Sequence, residues 1–181
     1  MTAAAWVDGS AIAAAEVDER LIGLRSRDQA GALPAADSRE GRQLRRWVAQ
    51  VAVVERVCER EVAARGGGSA RGGGLGDLTR ADAAALGSIV AAAWTNNPAV
   101  PRAADLVTRD VSVAPGRLRR AAALSATDDG GTVWTADALI ASARMEAFAR
   151  WLAHATHERV RLEEGFEHPG DATQPDNLHE H

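Results

Sequence analysis

The longest regular hydrophobic pattern in the chain runs from Leu44 to Val62. Apolar residues at 44, 47, 48, 51, 54, 57, 58 and 62 recur at spacings of three and four, which places them on one face of a helix of about five turns. Asp37 or Ser38 is positioned to cap it. A second stripe, Leu139, Ile140, Ala143, Ala147, Phe148, Trp151 and Leu152, follows Thr135 as a cap and predicts a helix over 135–157. Val17, Leu21 and Leu24 predict a helix near 13–27, after a short extended Trp6-Val7 and a turn at Asp8-Gly9. Ser10 or a neighbour is its expected cap. Thr79, with Asp82 three residues on, reads as a capping box and opens a helix through Leu86, Ile89, Val90, Ala93 and Trp94. Asn96-Asn97-Pro98 stops it. Shorter helices are expected at 101–108 and from Pro115 to about 124, with a brief extended piece at Val111-Ser112-Val113. The pattern predicts an all-α fold of about six helices.

Seven of the eleven residues from 66 to 76 are glycine, which predicts a flexible linker. The stretch has no Gly-Lys-Ser/Thr and no Gly-x-Gly-x-x-Gly with a following ribose-binding acid, so it does not read as a phosphate loop. Asp128-Asp129-Gly130-Gly131 is a second loop. From Gly165 onward no hydrophobic period is present, and no packed element is expected. The domain reading is one helical domain over 1–165, interrupted by the linker at 66–76, and an irregular, His-rich tail over 166–181.

Composition sharpens this picture. Hydrophobic residues make up 46 % of the 181, but 40 of them are alanine and aromatics are only 4 %. Side chains that small fill a core only when helices approach closely. All 21 basic residues are arginine. Without lysine there is no Schiff-base chemistry and no lysine-dependent phosphate site. The net charge of −4 argues against a nucleic-acid partner, which calls for a basic excess. No apolar run approaches the ~20 residues of a membrane span, and the first ten residues lack the basic and apolar regions of a signal peptide. These features predict a soluble, cytoplasmic protein with no membrane partner. The single cysteine, Cys58, falls among Val54, Val57 and Val62 and reads as a small buried hydrophobe rather than a nucleophile.

Candidate chemistry concentrates at the C-terminal end. All five histidines, His154, His157, His168, His179 and His181, lie within 154–181. His168, His179 and His181 with Asp171 and Asp176 offer imidazole and carboxylate ligands for a divalent transition metal, zinc foremost. His154 and His157 fall at a helix C-terminus, where imidazoles interact favourably with the dipole. No His-Glu-x-x-His and no Gly-x-Ser-x-Gly is present, so metalloprotease and serine-hydrolase readings lose their motif. Arg39, Arg42, Arg45 and Arg46 read as a solvated helix face, with an acidic ligand as the alternative. Trp47, Trp94, Trp134, Trp151 and Phe148 are the candidate walls of an apolar binding groove, with core packing as their other role.

Val7-Asp8-Gly9, Ile12, Glu16-Val17 and Leu21, followed by Glu55-Arg56-Val57 through Glu61, Ala64 and Gly66, resemble the N-terminal helical module of SurA-like and parvulin-type peptidyl-prolyl isomerases. The resemblance covers about 65 residues, and Val111-Ser112-Val113 with the helix after it is similar to the element that follows in those proteins. It implies a helical module that packs with the long C-terminal helix and carries an apolar groove for a peptide or partner chain. The catalytic parvulin domain has no counterpart between Ala126 and Trp134, so isomerase activity is not implied. The expected function is therefore a non-catalytic, chaperone-like or accessory binding protein, whose partner is a peptide, a protein or a small-molecule ligand. A small metal-dependent enzyme or metal-binding protein using the C-terminal His/Asp cluster is the alternative. A homodimer built through the Val-rich helix is a third reading.

Overall fold

A computed structural model describes residues 2–26, 31, 33–66, 75–125 and 135–174. Its first element is not helical. Strand β1, Ala3–Val7, and strand β2, Ser10–Ala13, form an antiparallel hairpin in which Val7 faces Ser10. The two loop residues, Asp8 at φ 49° and Gly9 at φ 75°, both have the left-handed backbone of a type I′ turn, whose twist matches that of the strands. Asp-Gly is the sequence signature of that turn. The expected short extended start is thus half of a hairpin, and Ser10 lies in β2 instead of capping a helix.

Helix α1, Ala14–Arg25, leaves β2 directly, and Ala13 at its N-cap makes no side-chain cap hydrogen bond. The Ala14 N–H instead donates to the Thr2 carbonyl at 2.9 Å, so the residue just ahead of β1 satisfies one of the helix's orphan donors. Helix α2, Arg39–Ala64, begins as the sequence predicts, with Ser38 Oγ accepting from Gly41 N at 3.0 Å. Its valines are buried on more than one side: Val48, Val51, Val53, Val54 and Val57 are all 6 % exposed or less. Each such side chain contributes about 1.5–3 kcal/mol by leaving water. Helix α1, strand β1 and three later helices pack around α2.

The capping box of Thr79 and Asp82 forms as read, but it opens only a seven-residue helix, α3, Arg80–Leu86. Gly87, at φ 83° and ψ 162°, then turns the chain through a conformation essentially reserved for glycine. Helix α4, Ser88–Asn96, restarts on its far side. Helix α5, Ala99–Thr108, and helix α6, Pro115–Ser125, follow. Helix α7, Ala136–Arg159, is capped by Thr135, whose Oγ1 accepts from Ala138 N at 3.1 Å. Val111-Ser112-Val113 belongs to no strand. The central part of the predicted linker and the Asp128-Asp129-Gly130-Gly131 loop lie outside the described residues.

The chain then turns from α7 into strand β3, Val160–Leu162, with no intervening loop. It adds to β1 antiparallel, giving the sheet order β2-β1-β3. The fold is mainly helical with a small three-stranded sheet, which corrects the all-α expectation. The helical periodicity was legible. The strands were not, because β1 carries three alanines in five residues and β3 is three residues long, too little for an alternating pattern to register.

The segment after β3 also departs from expectation. It is irregular, yet Phe166 and Gln174 are only 4 % and 2 % exposed. Phe166 joins the main core cluster, and the Arg45 guanidinium lies 4.4 Å from its ring centroid. Gln174 Nε2 donates to the carbonyls of His168 and Pro169 at 3.0 and 2.9 Å, folding the segment on itself.

Candidate functional site

Helix α2 turns Gln50, Val53 and Val54 toward a groove, the i, i+3, i+4 set of one face. Helix α7 answers with Ala149, Leu152, Ala153 and Thr156, the same spacing extended by a further turn. The α3–α4 junction at Gly87 forms the third wall, with Leu86, Ile89 and Val90 as its apolar surface, and His168 also lines the groove. The groove holds about 640 Å³. It exists because α3 and α4 are separate helices: a continuous helix from 79 to 95 would carry no bend at Gly87.

Aliphatic side chains and alanine make up most of the lining. Among the described residues no aspartate, glutamate or arginine lines it, and His168 is the one titratable group that does. Three polar groups beside the imidazole have defined partners or positions. Gln50, 5 % exposed, donates from Nε2 to the Phe166 carbonyl at 3.1 Å. Ser88 Oγ accepts from Trp47 Nε1 at 3.1 Å. Thr156 stands on the α7 wall. His168 accepts the Gly170 N–H on Nδ1 at 3.0 Å, so the neutral ring carries its proton on Nε2.

The aromatic residues predicted as groove walls stand elsewhere. Trp94 and Phe148 meet edge to face and Phe148 stacks on Trp151, both pairs at 5.8 Å between centroids, inside the α4–α7 contact. Trp47 touches the groove only through its bond to Ser88. Trp134 lies outside the described residues. Trp6 donates from Nε1 to Glu163 Oε1 at 2.6 Å, joining β1 to the segment after β3.

Of the five predicted metal ligands, His179, His181 and Asp176 lie outside the described residues. Asp171 caps a turn: its Oδ1 accepts from the Thr173 hydroxyl at 2.7 Å and backbone N–H at 2.9 Å, which lowers its pKa below the ordinary value. His168 is held by Gly170. Among the described residues no group of three or more His, Cys, Asp and Glu side chains is placed to hold a metal ion. His154 and His157 project from exposed positions on the last turns of α7.

Three of the four arginines of the set have partners. Arg45 bonds both carboxylate oxygens of Asp18, at 2.8 and 3.2 Å, Arg46 lies 3.4 Å from Glu167, and Arg42 donates to the Asp37 carbonyl. Burial raises the pKa of Glu167, but the Gly165 and Glu167 backbone N–H groups and Arg46 outweigh it and hold the carboxyl below its ordinary value. Cys58 is buried, and burial, reinforced by the carboxylates of Glu59 and Glu61, pushes its thiol up to about 12. At neutral pH it is a packing residue and not a nucleophile.

Sequence reading missed two features of the groove. Gln50 had a usable signal, since it is the one polar residue within the apolar run from Trp47 to Val54. The α7 wall had little, because alanines at 149 and 153 carry the same weight in a periodicity whether they face core or groove.

A family model described as "Family of unknown function (DUF7158)" matches residues 3–40, which here form β1, β2, α1 and the entry into α2. No curated protein matches the chain, and no solved structure does. Among the described residues no helix is long and apolar enough to cross a membrane.

Proposed function

We propose that this is a non-catalytic binding protein, chaperone-like or accessory in character, that holds an uncharged aliphatic peptide segment in the groove between α2, α4 and α7. The observation that carries this is the charge of the lining. A quarter of the chain is charged, yet among the described residues no carboxylate or guanidinium lines the groove. An apolar concavity of several hundred Å³ with a few polar groups is the usual form of a ligand site. A charged occupant would lose its hydration there without gaining a partner. The resemblance of about 65 N-terminal residues to a helical module whose groove suits a peptide favours a peptide as occupant.

Fluorescence anisotropy with a fluorescein-tagged, uncharged Val/Leu/Ala hexapeptide tests the reading. We expect saturable binding, which is lost when one central residue of the peptide is changed to Glu or Arg. Ala85 and Ala153 line the groove at exposed positions, so glutamate there fills the groove without disturbing the core. Ala85→Glu and Ala153→Glu should weaken binding at least ~10-fold with an unchanged Tm. Absence of saturable binding, or binding indifferent to both substitutions, overturns the proposal.

A further inference from the structure

Gln50 stands in the most apolar stretch of α2, between Ala49 and Val51, where a polar side chain is costly unless it is satisfied. Half of it is. The Nε2 group donates to the Phe166 carbonyl, and because that partner only accepts, the orientation of the carboxamide is fixed. The Oε1 atom therefore points away from the Phe166 carbonyl. It receives no hydrogen bond from any described residue, and it is not among the polar atoms sealed off from solvent. Gln50 is one of the residues that line the groove.

We propose that Gln50 reads the main chain of the bound segment, its Oε1 accepting one peptide N–H. This rests on the peptide reading above. The acceptor has donors for company: Ser88 uses its oxygen to accept from Trp47 and retains its own O–H to give, and His168 retains Nε2–H. One acceptor beside donors is the complement of a peptide unit, which presents one N–H and one C=O. Aliphatic walls supply affinity without regard to side-chain detail, and the carboxamide sets where along the segment the backbone registers. An acyl chain with no N–H would leave Oε1 unpaired, at a cost comparable to a lost buried hydrogen bond.

The test changes the ligand and not the fold. Each amide of the tagged Val/Leu/Ala hexapeptide is N-methylated in turn, and binding is measured by anisotropy to the wild type and to Gln50→Leu. We expect methylation at one position to weaken wild-type binding about tenfold. The same methylation should change binding to Gln50→Leu by less than twofold, because the acceptor is already gone. Tolerance of every methylation by the wild type, or equal sensitivity in Gln50→Leu, overturns the assignment while peptide binding itself stands. Failure of any peptide to bind overturns both. If Gln50→Leu does not fold, Gln50→Met, which keeps side-chain length, replaces it, and the wild-type scan decides by itself.

Discussion

At the residue scale, Asp8 and Gly41 show how one side chain, or its absence, fixes a junction. The Arg159 guanidinium bonds both Asp8 oxygens, at 2.9 and 2.6 Å, and also reaches Glu61 at 3.1 Å. The hydrogen bond from Arg159 holds the Asp8 carboxyl below its ordinary value of 3.8. A depressed native pKa stabilises the fold above the unfolded value, and the contribution is lost as pH falls through the lowered native one. Asp8→Asn, which tolerates the same left-handed backbone, should therefore lower Tm at pH 7. The gap from wild type should close as melts are taken down through pH 3.8 toward pH 2. A gap independent of pH would show that the ion pair contributes nothing. Gly41 is needed for another reason: a Cβ there would sit 1.9 Å from the Ala35 carbonyl oxygen. Gly41→Ala should cost about 1–3 kcal/mol by denaturant unfolding, although alanine is the better helix former. Gly23→Ala, on α1 with nothing within 4 Å, should stabilise by about 0.5–1 kcal/mol. The pair separates steric contact from helix propensity.

At the scale of elements, periodicity carried the helices and failed where contacts are long-range. The caps at Ser38, Thr79 and Thr135 were legible because a cap is a local hydrogen bond between residues three apart. Strand β3 was not, since it forms only because the end of α7 arrives beside β1, more than 150 residues earlier in the chain. The segment after β3 shows the same thing. Nothing in Phe166-Glu167-His168-Pro169 has a period, yet Phe166 enters the core and Arg46 and Gln50 hold the backbone and carboxylate around it. Phe166→Ala should cost about 3–5 kcal/mol, the usual range for a buried phenylalanine. Hydrogen exchange should show Glu163 to Gln174 opening ahead of the helices. A loss below about 1 kcal/mol, or unchanged protection, would mean that the segment is only laid on the surface.

For the whole molecule, the sheet is what closes the chain. Its central strand is the first element and its third strand among the last, so the N-terminal hairpin is completed by residues from the other end. The stretch matched by the family of unknown function, residues 3–40, thus buries Val7, Ile12 and Val17 against partners it does not contain. A unit of fewer than about 40 residues buries too small a fraction of its surface to be stable without further support. A peptide of residues 2–40 should give no cooperative thermal transition by circular dichroism, whereas the full chain should. A cooperative melt of the short peptide would show that β1, β2 and α1 form a self-sufficient unit.

The sequence alone dictates most of the helices, the caps at Ser38, Thr79 and Thr135, and the buried character of Val51, Val57 and Cys58, because each follows from spacing within a few turns. It also determined that the core is built of alanine and valine and that no standard catalytic motif is present. The tertiary structure alone decided the third strand, the docking of Phe166 and the break at Gly87 that opens the groove. It also moved the candidate site from the tryptophans to an aliphatic groove that Gln50 lines. Aromatic residues bury the most surface and so were drawn into the core, at Trp94, Phe148 and Trp151. The groove was left to aliphatic side chains and alanine, whose position along a helix says nothing until the helix opposite is known.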